Sequence, residues 1–104
     1  MTSPSLLVVL TRRAERQLDI AIKWWKGNRA GAPNLLSDEL SRAVDLLAVQ
    51  PAIGAKVRGE RFTGVRRVLL EPVGYHIYYR VRPRLRRVEI LVVWHAHRGA
   101  APRL

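Results

Sequence analysis

The chain of 104 residues has no cysteine, so it holds no disulfide framework, no thiolate nucleophile and no cysteine zinc site. Its seven glycines form neither a phosphate-cradling loop nor a dinucleotide fingerprint, so nucleotide hydrolysis and cofactor binding are not indicated. No apolar run near the start is longer than Leu6 to Leu10, too short for a signal core or a membrane span, and a cytoplasmic protein without membrane contact is expected. Ser3, Ser5, Ser37 and Ser41 lie in a tail or on a helix with no nucleophile elbow around them, which argues against serine hydrolysis. Acids are scarce as well: 8 Asp and Glu face 19 Lys and Arg, leaving a net charge of +11.

What is present is a hydrophobic content of 48%, too high for disorder and enough for one domain spanning residues 1–104. The charge is unevenly placed. Residues 1–55 are nearly balanced at net +2, whereas residues 56–104 carry twelve basic residues against Glu60, Glu71 and Glu89. A field of this kind favours a polyanion, and an acidic protein surface meets that requirement as well as a nucleic acid does.

Leu6 to Leu10 reads as a short buried strand, and the hydroxyl of Thr11 is placed to cap the helix that follows. Ala14, Leu18, Ala21, Ile22 and Trp25 recur at helical spacing, with Gly27 and Asn28 as stop signals. Trp25 is expected in the core, and Trp24 either at its edge or against a partner. A second helix begins near Pro33, carries Leu36, Leu40, Ala43, Val44 and Leu47 as its stripe and stops at Pro51. From Ala55 the apolar period becomes two, giving strands over Val65–Glu71, Tyr75–Arg82 and Arg87–Trp94. In the middle one, Tyr75, Ile77, Tyr79 and Val81 share the face expected to pack on the helices. His76, Tyr78, Arg80 and Arg82 share a polar one, and Arg66 and Arg67 face opposite sides of their own strand. The expected fold is α+β: an N-terminal strand, an antiparallel helix hairpin and a three-stranded antiparallel meander, with the helices on one face of a small sheet. Residues 1–5 and 99–104 are expected to be loose tails.

Five segments, AERQLDIAIKWW, LLAVQPAIG, GVRRVLL, GYHIYYRV and VEILVVWHAHR, together resemble the RelE/ParE superfamily, the toxins of type II toxin–antitoxin modules. The resemblance covers about Leu6 to Arg98. It implies a toxin bound by a cognate antitoxin, with operator DNA contacted only through that antitoxin. Members resembling RelE cleave mRNA on the ribosome, whereas members resembling ParE poison DNA gyrase. Of the basic positions that the RelE pattern implies, Arg67 fills one, but Leu69, His76 and Ala96 occupy the others, and no aromatic follows Trp94 to supply the tyrosine. His95-Ala96-His97-Arg98 instead fits the ParE ending. The ParE reading is favoured, with gyrase as partner and Arg98, His95, Arg67, Arg80, His76 and Trp24 as candidate target- or antitoxin-binding residues.

In the alternative, ribosome-dependent reading, His97 or His95 serves as base or acid while Arg67, Arg80 and Arg98 hold the scissile phosphate. Strand alternation places His95 and His97 on one side with Leu91 and Val93, without showing whether His76 and Arg80 share it. A basic nucleic-acid-binding module without toxicity is a third reading. No metal or cofactor is expected: His95 and His97 have no cysteine and no nearby acid to complete a site.

Overall fold

The computed structural model describes residues 5–58 and 61–104. Strand β1 (Leu7–Leu10) leads into helix α1 (Arg12–Asn28), helix α2 (Leu35–Val49) and the short strand β2 (Ala55–Lys56). Strands β3 (Val65–Leu70), β4 (Tyr75–Arg82) and β5 (Arg87–His95) follow, the last two joined by a 3₁₀ turn over Pro83–Leu85. The five strands form one sheet in the order β1-β5-β4-β3-β2. All neighbours are antiparallel except β1, which runs parallel to β5 from Leu7 opposite Arg87 to Leu10 opposite Ile90. The α+β expectation holds, with both helices on one face. The N-terminal strand does not stand apart, because the helix hairpin carries the chain back to lay β1 and β5 side by side.

Local chemistry explains the helix ends. Thr11 Oγ1 accepts the Ala14 N–H at 3.2 Å and donates to the Leu91 carbonyl at 3.2 Å, so one hydroxyl caps α1 and ties it to β5. Gly27 is not the stop residue that the sequence suggested. It lies inside α1, and the closing contacts come from Asn28, whose amide donates to the Trp24 carbonyl, and from the Arg29 N–H, bonded to the Trp25 carbonyl. Trp25 is in the core as expected, its indole N–H bonded to the Ala32 carbonyl at 2.7 Å. The β3–β4 connection needs Gly74, with a φ of +70°, a conformation costly for other residues.

The main core lies between sheet and helices. Ala14, Ala21 and Trp25 of α1 and Leu36, Leu40, Ala43 and Leu47 of α2 meet Tyr75, Ile77 and Tyr79 of β4 and Val88, Ile90 and Val93 of β5. Three expectations change here. Leu6 to Leu10 is not a buried strand: β1 is at the sheet edge and Leu7 is exposed. The second face of β4 is not wholly polar, because Tyr78 is buried there with Val65, Leu91 and Val92 in a smaller cluster. Residues 99–104 lie against the body: the Ala100 carbonyl accepts the Trp94 indole N–H, the Arg103 carbonyl accepts from Arg13, and Leu104 packs on the smaller cluster. Residues 1–4 of the other expected tail lie outside the described residues.

A bulge in β5 decides which side chains share a face. Tyr78 pairs with Val92 but Tyr79 pairs with Ile90, leaving Leu91 as the extra residue. Leu91 and Val92 thereby both join the smaller cluster, while Val93 returns to the helix side. The alternation that grouped Leu91 with Val93, His95 and His97 is corrected at this point: Leu91 lies on the opposite face from Val93.

Candidate functional site

The sheet separates the candidate residues into two groups. His95 and His97 lie on the α1 side. With Arg98 they rim a groove of about 460 Å³ between α1 and the end of β5, floored by Ile20, Trp24 and Tyr75. On the opposite face, the register sets Arg67 across from Tyr78, Leu69 across from His76, and Arg80 across from Glu89. The cleaving cluster that would join His76 and Arg80 to His95 and His97 is therefore not assembled. His95 at the end of β5 and His97 just beyond it are on the other side of the sheet from Arg67 and Arg80, and of the three arginines expected to hold a phosphate only Arg98 shares their groove.

The groove has an ordered rim. The His97 backbone N–H donates to His95 Nδ1 at 3.2 Å, so neutral His95 carries its proton on Nε2. The His95 ring stands edge-on to Tyr75 at 5.0 Å and 86°, and the His95 and His97 centroids are 5.3 Å apart. The Arg98 guanidinium lies 4.3 Å from the centre of the Trp94 ring, a cation–π contact that holds the charge at the groove mouth. On the far wall Ile20 is 69% exposed and Trp24 45%. Apolar side chains therefore open in a concave surface that has the Arg98 cation at its rim. The sequence reading named His95, His97, Arg98 and Trp24 as candidates but not Gln17, Ile20, Tyr75 and Trp94. Helical spacing held the clue to part of this set: Gln17, Ile20, Ala21 and Trp24 fall at i, i+3, i+4 and i+7 and so share a face of α1. Gln17 also accepts the Val93 N–H at 2.9 Å, serving a stretch of β5 beyond its pairing with β1.

The opposite face holds paired cations. Arg80 Nε donates to Glu89 at 2.8 Å, Arg82 approaches the same carboxylate at 3.5 Å, and the Arg80 guanidinium lies 4.5 Å from the centre of the Phe62 ring. Arg67 reaches the Tyr78 hydroxyl at 3.5 Å. Arg66 turns to the other side and donates to the Gly54 carbonyl, so the two arginines do face opposite ways. Burial pushes the Glu89 carboxyl up, but the hydrogen bond and charge of Arg80, with Arg82, pull it further down, and it lies below the usual carboxylate range. A depressed carboxyl stabilises the fold above its unfolded pKa and loses that contribution as pH falls through the folded value. Glu89→Gln is expected to cost roughly 1–2 kcal/mol at pH 7. The gap from wild type should close below about pH 4, as followed by urea unfolding across pH.

His76 and His95 both sit below the usual imidazole range. Burial is the first cause for each, followed by Arg67 for His76 and by His97 and Arg98 for His95. His76 Nδ1 is buried without a hydrogen-bond partner. Because the folded state binds these protons less readily than the unfolded chain, stability falls as pH drops through and below about 6.5. Thermal melts from pH 7.5 to 5 should show this loss, and His76→Gln with His95→Gln should reduce it.

With geometry of this kind, comparison with known proteins defines first a class. The fold is similar to that of the chromosomal ParDE toxin–antitoxin system from P. aeruginosa, with a TM-score of 0.69 and 22% identity over 91% of this chain and 100% of that one. It is also similar to the RelBE2 toxin–antitoxin complex from Mycobacterium tuberculosis, at 0.65 and 23% over 88% of this chain and 91% of that one. The isolated RelE toxin of E. coli gives 0.56 and 23% over 91% and 88%. No curated protein matches the chain. Residues 8–99 match the family model of the ParE toxin of type II toxin–antitoxin systems, and the chain belongs to that family, within the RelE/ParE superfamily.

Proposed function

We propose that the chain acts by binding DNA gyrase, that it does not cleave RNA, and that a cognate antitoxin holds it inactive. The observation that carries this reading is the separation of His95 and His97 from Arg67, Arg80 and His76 by the sheet, which leaves Arg98 as the one arginine of the candidate cleaving set beside them. Cleavage through the 2′-hydroxyl needs a base, an acid and phosphate-binding cations converging on one phosphate. Here Arg80 on the open face is already held by Glu89.

The groove suits recognition. It offers an apolar floor and a cationic rim together, and among the described residues no carboxylate lines it. An acidic amphipathic segment of the antitoxin would cover both at once, burying Ile20 and Trp24 while its carboxylates face Arg98 and the imidazoles. Membership of the ParE family, and the assembly of its structural relatives into toxin–antitoxin complexes, support such a partner. Sequence-specific recognition of operator DNA would come only through the antitoxin, and the site of action is the cytoplasm.

The test is brief induction in bacteria without the antitoxin, with DNA damage signalling and pulse-labelled protein synthesis scored side by side. Early DNA damage with continuing translation is expected. An immediate stop in translation with intact DNA would instead favour ribosome-dependent mRNA cleavage.

A further inference from the structure

The groove is at one end of the sheet, and a dense run of arginines is at the other. β4 finishes at Arg82, the 3₁₀ turn carries Arg84, and Arg86 and Arg87 lead into β5. The pairing of Val65 with Arg80 and of Lys56 with Arg66 brings the exposed Arg58 and Arg61 to this same end. Arg84 and Arg86 are exposed, and Arg82 and Arg87 partly so. Among the described residues no carboxylate pairs with Arg84, Arg86 or Arg87. Glu89 is shared by Arg80 and Arg82, Glu71 follows the far end of β3, and Glu60 lies outside the described residues.

We infer that this arginine-bearing end is a phosphate-backbone surface through which the isolated chain binds double-stranded DNA. An acidic protein is the weaker fit. Protein interfaces are built on a charge-depleted apolar centre, whereas the turn presents a single large apolar side chain, Leu85, among its arginines. Guanidinium groups fit phosphate oxygens in paired hydrogen bonds, and duplex DNA offers a charge about every 1.7 Å along its axis. An exposed turn carrying Arg84 and Arg86, with Arg58 and Arg61 at the same end of the sheet, can span several phosphates. The surface is distinct from the groove, so it leaves the antitoxin- and target-binding side free. Binding to free DNA needs no gyrase, so this inference and the gyrase reading fail separately.

The experiment is fluorescence anisotropy of the full chain with a labelled 20-bp duplex of arbitrary sequence, at salt from 50 to 200 mM. With about five phosphates contacted, the log–log slope should be about −4.5, and affinity should fall roughly 10²- to 10³-fold across that range. Arg84→Ala alone should reduce the slope by about 0.9, and Arg84→Ala with Arg86→Gly and Arg87→Ala by about 2.7. Glycine is chosen at Arg86 because its φ is 51°. Circular dichroism and melting of each variant confirm the fold. Absence of binding at 50 mM salt would overturn the inference, as would an unchanged slope in the folded triple variant. Competition by poly-glutamate as strong as that by unlabelled duplex at equal charge, or tighter binding of a 20-nucleotide single-stranded RNA, would equally contradict it.

Discussion

Arg98→Glu is expected to abolish growth inhibition, whereas His95→Ala with His97→Ala is expected to leave it largely intact. The Arg98 guanidinium stacks on Trp94 at the mouth of the groove, and among the described residues no carboxylate neutralises it. A preorganised arginine beside an aromatic floor is the kind of residue that dominates an interface, where its loss commonly costs 2 kcal/mol or more, about 30-fold in affinity. Reversing its sign adds repulsion toward the acidic surface that such a rim selects. Trp24→Ala removes apolar contact only and should weaken inhibition without abolishing it. The histidine pair carries no step of chemistry in this account, so its removal trims the rim. Growth curves after induction, with the level of each soluble variant measured, check the order. Loss of toxicity in the His95/His97 variant at normal levels, with Arg98→Glu still toxic, would reverse the assignment.

The largest effect on stability is expected from Tyr79→Phe. Tyr79 is fully buried in β4, and its hydroxyl accepts the Gly54 N–H at 2.9 Å and donates to the Pro51 carbonyl at 2.8 Å. One oxygen thus joins the end of the α2 connection to the centre of the sheet. Burial pushes the Tyr79 hydroxyl above its usual range, and although the Gly54 N–H and Arg66 act in the opposite direction, the group stays protonated at neutral pH. Phenylalanine would leave the buried Gly54 N–H and the half-buried Pro51 carbonyl unpaired, the first costing about 1–3 kcal/mol and the second adding to it. For a domain of this size that amounts to a fall in Tm of roughly 10 °C or more. Gly54→Ala should act on the same joint from the other side, since an added Cβ would lie 2.6 Å from the Tyr79 hydroxyl and 3.0 Å from the Arg67 carbonyl. Differential scanning calorimetry of both variants checks this. A Tm within 3 °C of wild type for Tyr79→Phe would show that the joint carries little of the stability.

The fold was largely readable because its local signals agree with one another. Thr11 caps where a cap was expected, the apolar stripes of both helices face the core, and β4 spans Tyr75–Arg82 as its alternation implied. What the sequence could not show was long-range pairing. Nothing in LLVVL states that it will run parallel to β5, and the two-residue β2 is too short to have a period. The site was less readable for a related reason. Strand alternation assigns faces only while the register is regular, and the extra residue at Leu91 breaks it midway along β5. His95 and Arg98 were visible as polar residues near a strand end, but Ile20 and Tyr75 looked like ordinary apolar positions until the fold placed them along the groove between α1 and β5.

The central claim is that toxicity arises from binding gyrase at the groove. Purified toxin should be added to purified gyrase and relaxed plasmid with ATP, alone and after preincubation with co-expressed antitoxin. The account predicts loss of supercoiling with accumulation of gyrase-dependent cleaved DNA, both reversed by the antitoxin and both absent with Arg98→Glu. Unaltered supercoiling at stoichiometric toxin, together with cleavage of mRNA when the same preparation is added to translating ribosomes, would contradict it.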